Sequence, residues 1–259
     1  MLRTLAKKMV LGSTAIMIAV SSSSCSMGYE EVYLVSSKME YGSHGELEAR
    51  SEYTYDDYGN KTSEDKYNSE NNLIDTIRYE YDENKNLIRE AGENSSTIEY
   101  IYDDTGNMIE TRYNVGSDNE WLQTFVYDDS GNQIMRKDMD GRHVEFIYDA
   151  DGKMIRRIDY TSDGEEDSRQ EYGYDQAGNQ ISEQWYRDGS AKMLNLSSYN
   201  EKNQLVQVSY CTSNGTVIEY ETYEYDENGN LINSTYFDRD NFIVSWVDYT
   251  YDVYKVKSG

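Results

Sequence analysis

The sequence predicts an all-β protein: an antiparallel array of β-hairpins, about eighteen short strands, coiled into a curved sheet, a spiral or a wide barrel. Three observations carry that expectation. A Tyr-Asp turn motif recurs through most of the chain every 21 to 26 residues. Tyrosine, which favours strands, occurs 27 times in 259 residues, and Pro, which interrupts sheet ladders, does not occur. The residues before each motif alternate apolar with polar, the period of a half-buried strand.

The chain opens differently. Arg3, Lys7 and Lys8 precede an apolar or small stretch at residues 9–20, and a serine run leads to Cys25. This order is that of a secretory signal peptide, and twelve residues are too few for a membrane-spanning helix, which needs about 20. Residues 1–24 are therefore expected to be removed. Ser22, Ser23 and Ser24 before a single cysteine resemble a bacterial lipobox, although Ser22 stands where an aliphatic residue is usual. The expectation is a lipid anchor at Cys25 and a protein on the extracytoplasmic face of the cell membrane, with unlipidated release as the alternative. The only other thiol is Cys211, so no internal disulfide is expected.

Residues 25–40 read as a linker and first strand, 41–252 as the repeat domain and 253–259 as a tail. The motif appears as YDDYGN from Tyr55, YDDTGN from Tyr102, YDDSGN from Tyr127, YDQAGN from Tyr174 and YDENGN from Tyr225. Weaker copies begin at Tyr81, Tyr148, Tyr199 and Tyr251. A looser set of turns lies between them, at Tyr67, Tyr113, Asp138, Tyr160, Tyr186, Tyr210 and Tyr236, so each unit holds two strands and two turns. Asp at the head of a turn accepts backbone N–H groups two residues on, and Gly or Asn at its end takes the left-handed conformation that closes a hairpin. That assigns a turn-building role to Asp56, Gly59 and Asn60; to Asp103, Gly106 and Asn107; to Asp128, Gly131 and Asn132; to Asp175, Gly178 and Asn179; and to Asp226, Gly229 and Asn230.

Parity puts Ile98, Tyr100 and Tyr102 on one face, and likewise Val144, Phe146 and Tyr148, or Val247, Tyr249 and Tyr251. An open sheet of this width is improbable, because twisted sheets rarely exceed about ten strands without curling or closing. Ile101, Val126 and Ile147 fall on the opposite face just before the tyrosine, so the middle of the array is expected to be covered on both sides. Charges at Glu30, Glu31, Lys38, Asp248 and Asp252 blunt the terminal strands if the sheet stays open.

The Y-x-Y-D-x-x-G-N blocks at Tyr53-Tyr55, Tyr100-Tyr102, Tyr172-Tyr174 and Tyr223-Tyr225, with their following Gly-Asn, resemble the YD-repeat, or Rhs-type, family of secreted and surface proteins, over roughly residues 40 to 252. The resemblance implies a coiling sheet of β-hairpins and, through some members, carbohydrate binding. It does not carry over the caged toxin of the largest members, because only eight residues follow Tyr251.

Chemistry is sparse. His44 and His143 have no metal-ligand spacing, no nucleophile elbow occurs, and Cys211 falls in an expected turn without a neighbouring base. No catalytic residue and no metal site are assigned, and no cofactor is expected beyond weak calcium binding at acidic turns such as Asp149-Ala150-Asp151-Gly152 and the one at Asp226. The net charge of -25 disfavours nucleic acid. Of the three tryptophans, Trp121 has the parity of Phe125 and Tyr127 and Trp185 that of Ile181, which puts both in the core, whereas Trp246 has the parity of Asp248 and Thr250 and belongs outside, where an exposed ring can bind a sugar. The reading is a non-enzymatic, exported surface protein that binds a glycan or another surface protein. The alternatives are a structural spacer without a ligand and a carbohydrate-active enzyme, for which only the irregular stretches at 92–97 and 163–169 offer non-repeat polar residues.

Overall fold

The computed structural model describes residues 29–257 and the backbone of Ile18–Ala19. Cys25 and the rest of the signal segment lie outside the described residues. The strands are β1 (Ile18–Ala19), β2 (Tyr29–Gly42), β3 (Leu47–Tyr55), β4 (Lys61–Asn68), β5 (Leu73–Tyr81), β6 (Leu87–Gly92) and β7 (Ile98–Tyr102). They continue as β8 (Met108–Tyr113), β9 (Trp121–Tyr127), β10 (Gln133–Asp138), β11 (His143–Tyr148), β12 (Met154–Tyr160) and β13 (Glu166–Tyr174). The last are β14 (Gln180–Arg187), β15 (Ser190–Tyr199), β16 (Leu205–Thr212), β17 (Val217–Tyr225), β18 (Leu231–Asp238) and β19 (Ile243–Lys257). Every strand from β2 to β19 pairs antiparallel with the next, and β19 pairs back onto β2, so the array closes as an up-and-down barrel. Of the three coiled forms expected, closure is the one adopted.

The turns form as the sequence dictates. At Asp128 the N–H bonds the carbonyl of Asn132, the Gly131 N–H returns to the Asp128 carbonyl, and Gly131 sits at φ 82°. The Asp128 carboxylate accepts the N–H groups of Ser130 and Asn132 through Oδ1 and the Asn132 amide through Oδ2. The same carboxylate-to-amide clasp joins Asp56 to Asn60, Asp175 to Asn179 and Asp226 to Asn230, with a longer version at Asp103 and Asn107.

At each of the nine motif tyrosines the ladder shifts by one residue, a bulge that bends the strand. The tyrosine hydroxyls then build a second ladder. Tyr81 donates to the carbonyl of Lys61, Tyr102 to Leu87, Tyr127 to Met108, Tyr148 to Gln133 and Tyr174 to Met154, at 2.7 to 2.9 Å. Tyr199, Tyr225 and Tyr251 reach Gln180, Leu205 and Leu231 in the same way, and Tyr55 reaches Val35, the residue paired with Tyr251. Each acceptor is the residue paired with the previous motif tyrosine, so one chain of phenols runs around the whole barrel.

Burial decides which face is inside. Ile77, Thr111, Gln123, Val144, Gln170 and Ser234 share the tyrosines' parity and are buried. The opposite face shows Val126 42% exposed and Ile147 36% exposed, so the expectation that the middle of the array is covered on both sides is wrong. The sheet is one layer thick, and no strand approaches any but its hydrogen-bonded neighbours within 8 Å between Cα atoms among the described residues. Eighteen strands spaced by about 4.8 Å give a girth of about 86 Å, too wide for one lining of side chains to fill.

The sheet also outruns its expected bounds. Residues 253–257, read as a tail, extend β19, which pairs with β2 as far as Tyr29. This two-stranded ribbon passes beyond the ring of motif tyrosines, where Val32, Leu34 and Val256 form a buried cluster with Tyr55 and Tyr254. Its tip is fastened to the β3–β4 turn: the Lys257 N–H donates to the Asp57 carbonyl at 2.8 Å, and Nζ meets the Asp57 carboxylate at 2.7 Å.

Candidate functional site

The inner wall supplies its own counterions. Lys61, where other units carry a neutral residue, lies 4.1 Å from the Tyr79 ring centroid with Nζ 3.6 Å from Glu64, and burial pushes its pKa down. Tyr79 donates to the same Glu64 at 3.0 Å, and burial pushes its phenol well above the ordinary range. Arg157 meets Asp159 at 2.6 Å and Arg136 meets Asp138 at 3.8 Å. Trp121 packs against Tyr113 with ring centroids 5.3 Å apart, and Trp185 pairs across the ladder with the buried Gln170, so both lie on the tyrosine face; Ile181, which parity groups with Trp185, is turned outward by the bulge at Tyr174.

Trp246 lies on the outer face, as its parity predicts. Its indole stacks on Tyr41 at 5.1 Å with the planes 17° apart, on the side of β2. On the side of β18 it lines a shallow groove of about 460 Å³ with Glu224, Ile232, Asn233, Thr235, Ile243 and Asp248. The ladder explains the arrangement. Glu224 pairs with Asn233 and Asn233 with Asp248, so these three form one row across β17, β18 and β19. Thr235 pairs with Trp246 and Trp246 with Tyr41, which places the aromatic platform in a parallel row two residues away. The bulge at Tyr225 leaves Ile232 out of the ladder, and it joins the groove instead of the lumen.

Polar contacts hold the floor. Asn233 donates from Nδ2 to Asp248 at 2.8 Å, and the Thr235 hydroxyl donates to Asn233 Oδ1 at 2.7 Å. The Glu224 carboxylate makes no hydrogen bond or ion pair among the described residues, and the residue is exposed. The groove thus offers an indole surface beside carboxylate oxygens, with no Lys, Arg or His in its lining.

The other sequence candidates are not brought together. His44 sits in the β2–β3 turn against Ser43, and His143 stacks on Tyr160 at 4.5 Å in β11. Cys211 is not in a turn: it is fully buried within β16, its thiol pKa pushed up by burial, and the turn begins one residue later at Thr212. Residues 92–97 form a turn that carries no copy of the motif, between β6 and β7. There Asn94 and Ser95 close over the buried Asp75 carboxylate, which lies lowered from its usual range through the Ser95 hydroxyl and backbone N–H groups despite its burial. At the proposed calcium turn, Asp149 Oδ1 accepts the N–H groups of Asp151 and Lys153. No group of three metal-ligating side chains converges among the described residues. Sequence parity located Trp246 but not Glu224, Asn233 or Asp248, whose convergence depends on ladder register.

No family model matches the chain, and no curated protein is similar to it. Solved structures are similar at low identity. A chain of the TcdB2-TccC3-Cdc42 structure is 17% identical with a TM-score of 0.40, over 83% of this chain and 12% of that one. A chain of the Photorhabdus luminescens Tc holotoxin pore is 14% identical with a TM-score of 0.41, over 88% and 13%. A porin-like protein from Bacteroides uniformis is 14% identical with a TM-score of 0.48, over 84% of this chain and 98% of that one. This chain therefore spans about an eighth of the toxin-complex chains and nearly all of the porin-like one, and similarity at this level assigns no activity.

Proposed function

We propose that the protein is an exported, non-enzymatic surface protein, held to the membrane by a lipid at Cys25, whose barrel is a rigid scaffold for a carbohydrate-binding groove centred on Trp246. The observation that carries this reading is the Trp246 indole, backed by Tyr41 and flanked by Asn233, Thr235, Glu224 and Asp248. Sugar C–H groups pack on an aromatic face while hydroxyls donate to neighbouring oxygens. A shallow site suits an extended chain of sugars better than a small enclosed ligand. The resemblance to YD-repeat proteins supports the same class of ligand.

The test is a glycan array with residues 26–259, beside Trp246→Ala and a Trp246→Phe variant that keeps a ring. Binding to one glycan class, lost in the alanine variant and partly kept in the phenylalanine variant, supports the reading. A blank array from folded, β-rich protein overturns it and leaves a surface-protein partner or the structural-spacer role. Anchoring is tested separately by fatty-acid labelling of cells expressing the full chain, where the Cys25→Ser variant must lose the label.

A further inference from the structure

We propose that the groove selects saccharides that carry a free, protonated amine. The inference rests on the glycan reading above and names the ligand chemistry of the same site. The groove is rich in acceptors and poor in donors. Glu224 and Asp248 contribute four carboxylate oxygens, only one of which is engaged, by the Asn233 amide. The Thr235 hydroxyl is already directed at Asn233 Oδ1, which leaves Asn233 one N–H to offer. A ligand that fills this surface must supply donors.

Charge sharpens the requirement. Some acids of the outer wall face bases: Glu171 meets Arg156 and Arg169, Glu80 meets Arg89, and Glu110 meets Arg112. Glu224 and Asp248 have no such partner, and they flank Asn233 in one row two strands apart, about 10 Å between backbones. An ammonium group brings three donors and the missing positive charge, and it also gains from the face of a neighbouring indole. A uronic acid or sialic acid would meet two carboxylates with a third, so anionic sugars are excluded. An N-acetylated sugar offers one amide N–H and no charge.

The deciding experiment is calorimetric titration of residues 26–259 with a glucosamine oligosaccharide and with its N-acetylated counterpart, at low and high salt. The free amine is expected to bind at least about tenfold more tightly, the size of one charge-assisted hydrogen bond. High salt must shrink that advantage, because exposed charges are screened. Glu224→Gln, at an exposed position with no contact to lose, must narrow the ratio between the two ligands. Equal binding of the two, or a ratio unchanged by Glu224→Gln, overturns the amine selectivity while leaving the glycan reading standing. Failure of both ligands and of every other saccharide to bind the folded protein overturns both.

Discussion

Replacing Tyr174 by Phe removes one hydroxyl from the phenol ladder and leaves the ring in place. The lost contact is the 2.7 Å bond to the Met154 carbonyl, and the ring is half-buried, so Phe fills the same space. A net intramolecular hydrogen bond contributes about 1 kcal/mol, and a carbonyl left dry raises the loss toward about 3 kcal/mol. With a urea m-value of about 2.5 kcal/mol/M, the lower figure moves the unfolding midpoint down by about 0.4 M. Tyr58→Phe is the control: Tyr58 is 45% exposed, outside the ladder, and the cations of Lys85 and Lys257 lie over its ring, which Phe retains. Its expected change is below about 0.5 kcal/mol. Urea titrations followed by circular dichroism compare the two, and equal midpoints for Tyr174→Phe, Tyr58→Phe and wild type would refute the claim that the ladder stabilises the barrel.

Alkali should unfold the protein steeply. Burial raises the phenols of Tyr81 and Tyr251 to about 12 and lifts the other motif tyrosines in the same direction. The unfolded chain releases those protons near pH 10, so stability is fully present below pH 10 and falls as pH rises through the folded values. Tyrosinate absorbance should appear together with loss of circular dichroism; gradual ionisation of a folded barrel would contradict the burial. Gly131→Ala should cost about 1 kcal/mol, because φ is 82° and an added Cβ would meet nothing within 4 Å, leaving backbone strain alone. Gly131→Asn should cost less, since Asn71, Asn203 and Asn241 already hold φ near 60° in other turns, and thermal melts of the pair check the order. The Cys211 thiol should react with a thiol reagent only after denaturant is added; rapid labelling of native protein would show that β16 is not covered as described.

Much of the fold was written locally. Turns at Asp56, Asp103 and Asp128 use short-range hydrogen bonds that four or five residues encode, and alternation fixed the faces of the strands between them. Closure was not legible, because it depends on β2, which carries no copy of the motif, pairing with β19 across more than 200 residues. Cys211 was misplaced by one residue for a simple reason: the Tyr210 segment looks like a turn head, but Thr212, not Tyr210, bonds across the turn. The site was half legible. Parity gave the outward direction of Trp246, while the row of Glu224, Asn233 and Asp248 needed the register of three strands, and the outward displacement of Ile232 needed a bulge that alternation hides.

The phenol ring has an implication for how such a chain can change length. In an open solenoid a repeat is gained or lost at an end and the rest is undisturbed. Here the first phenol, that of Tyr55, donates to the carbonyl of Val35, whose partner across the seam is the last motif tyrosine, Tyr251, so the number of units and the girth are one quantity. Duplicating a unit must widen every cross-section and re-form the seam, and losing one must tighten them all. Copy number in this protein is thus held by geometry, and variation has its freedom in the turns and on the outer face.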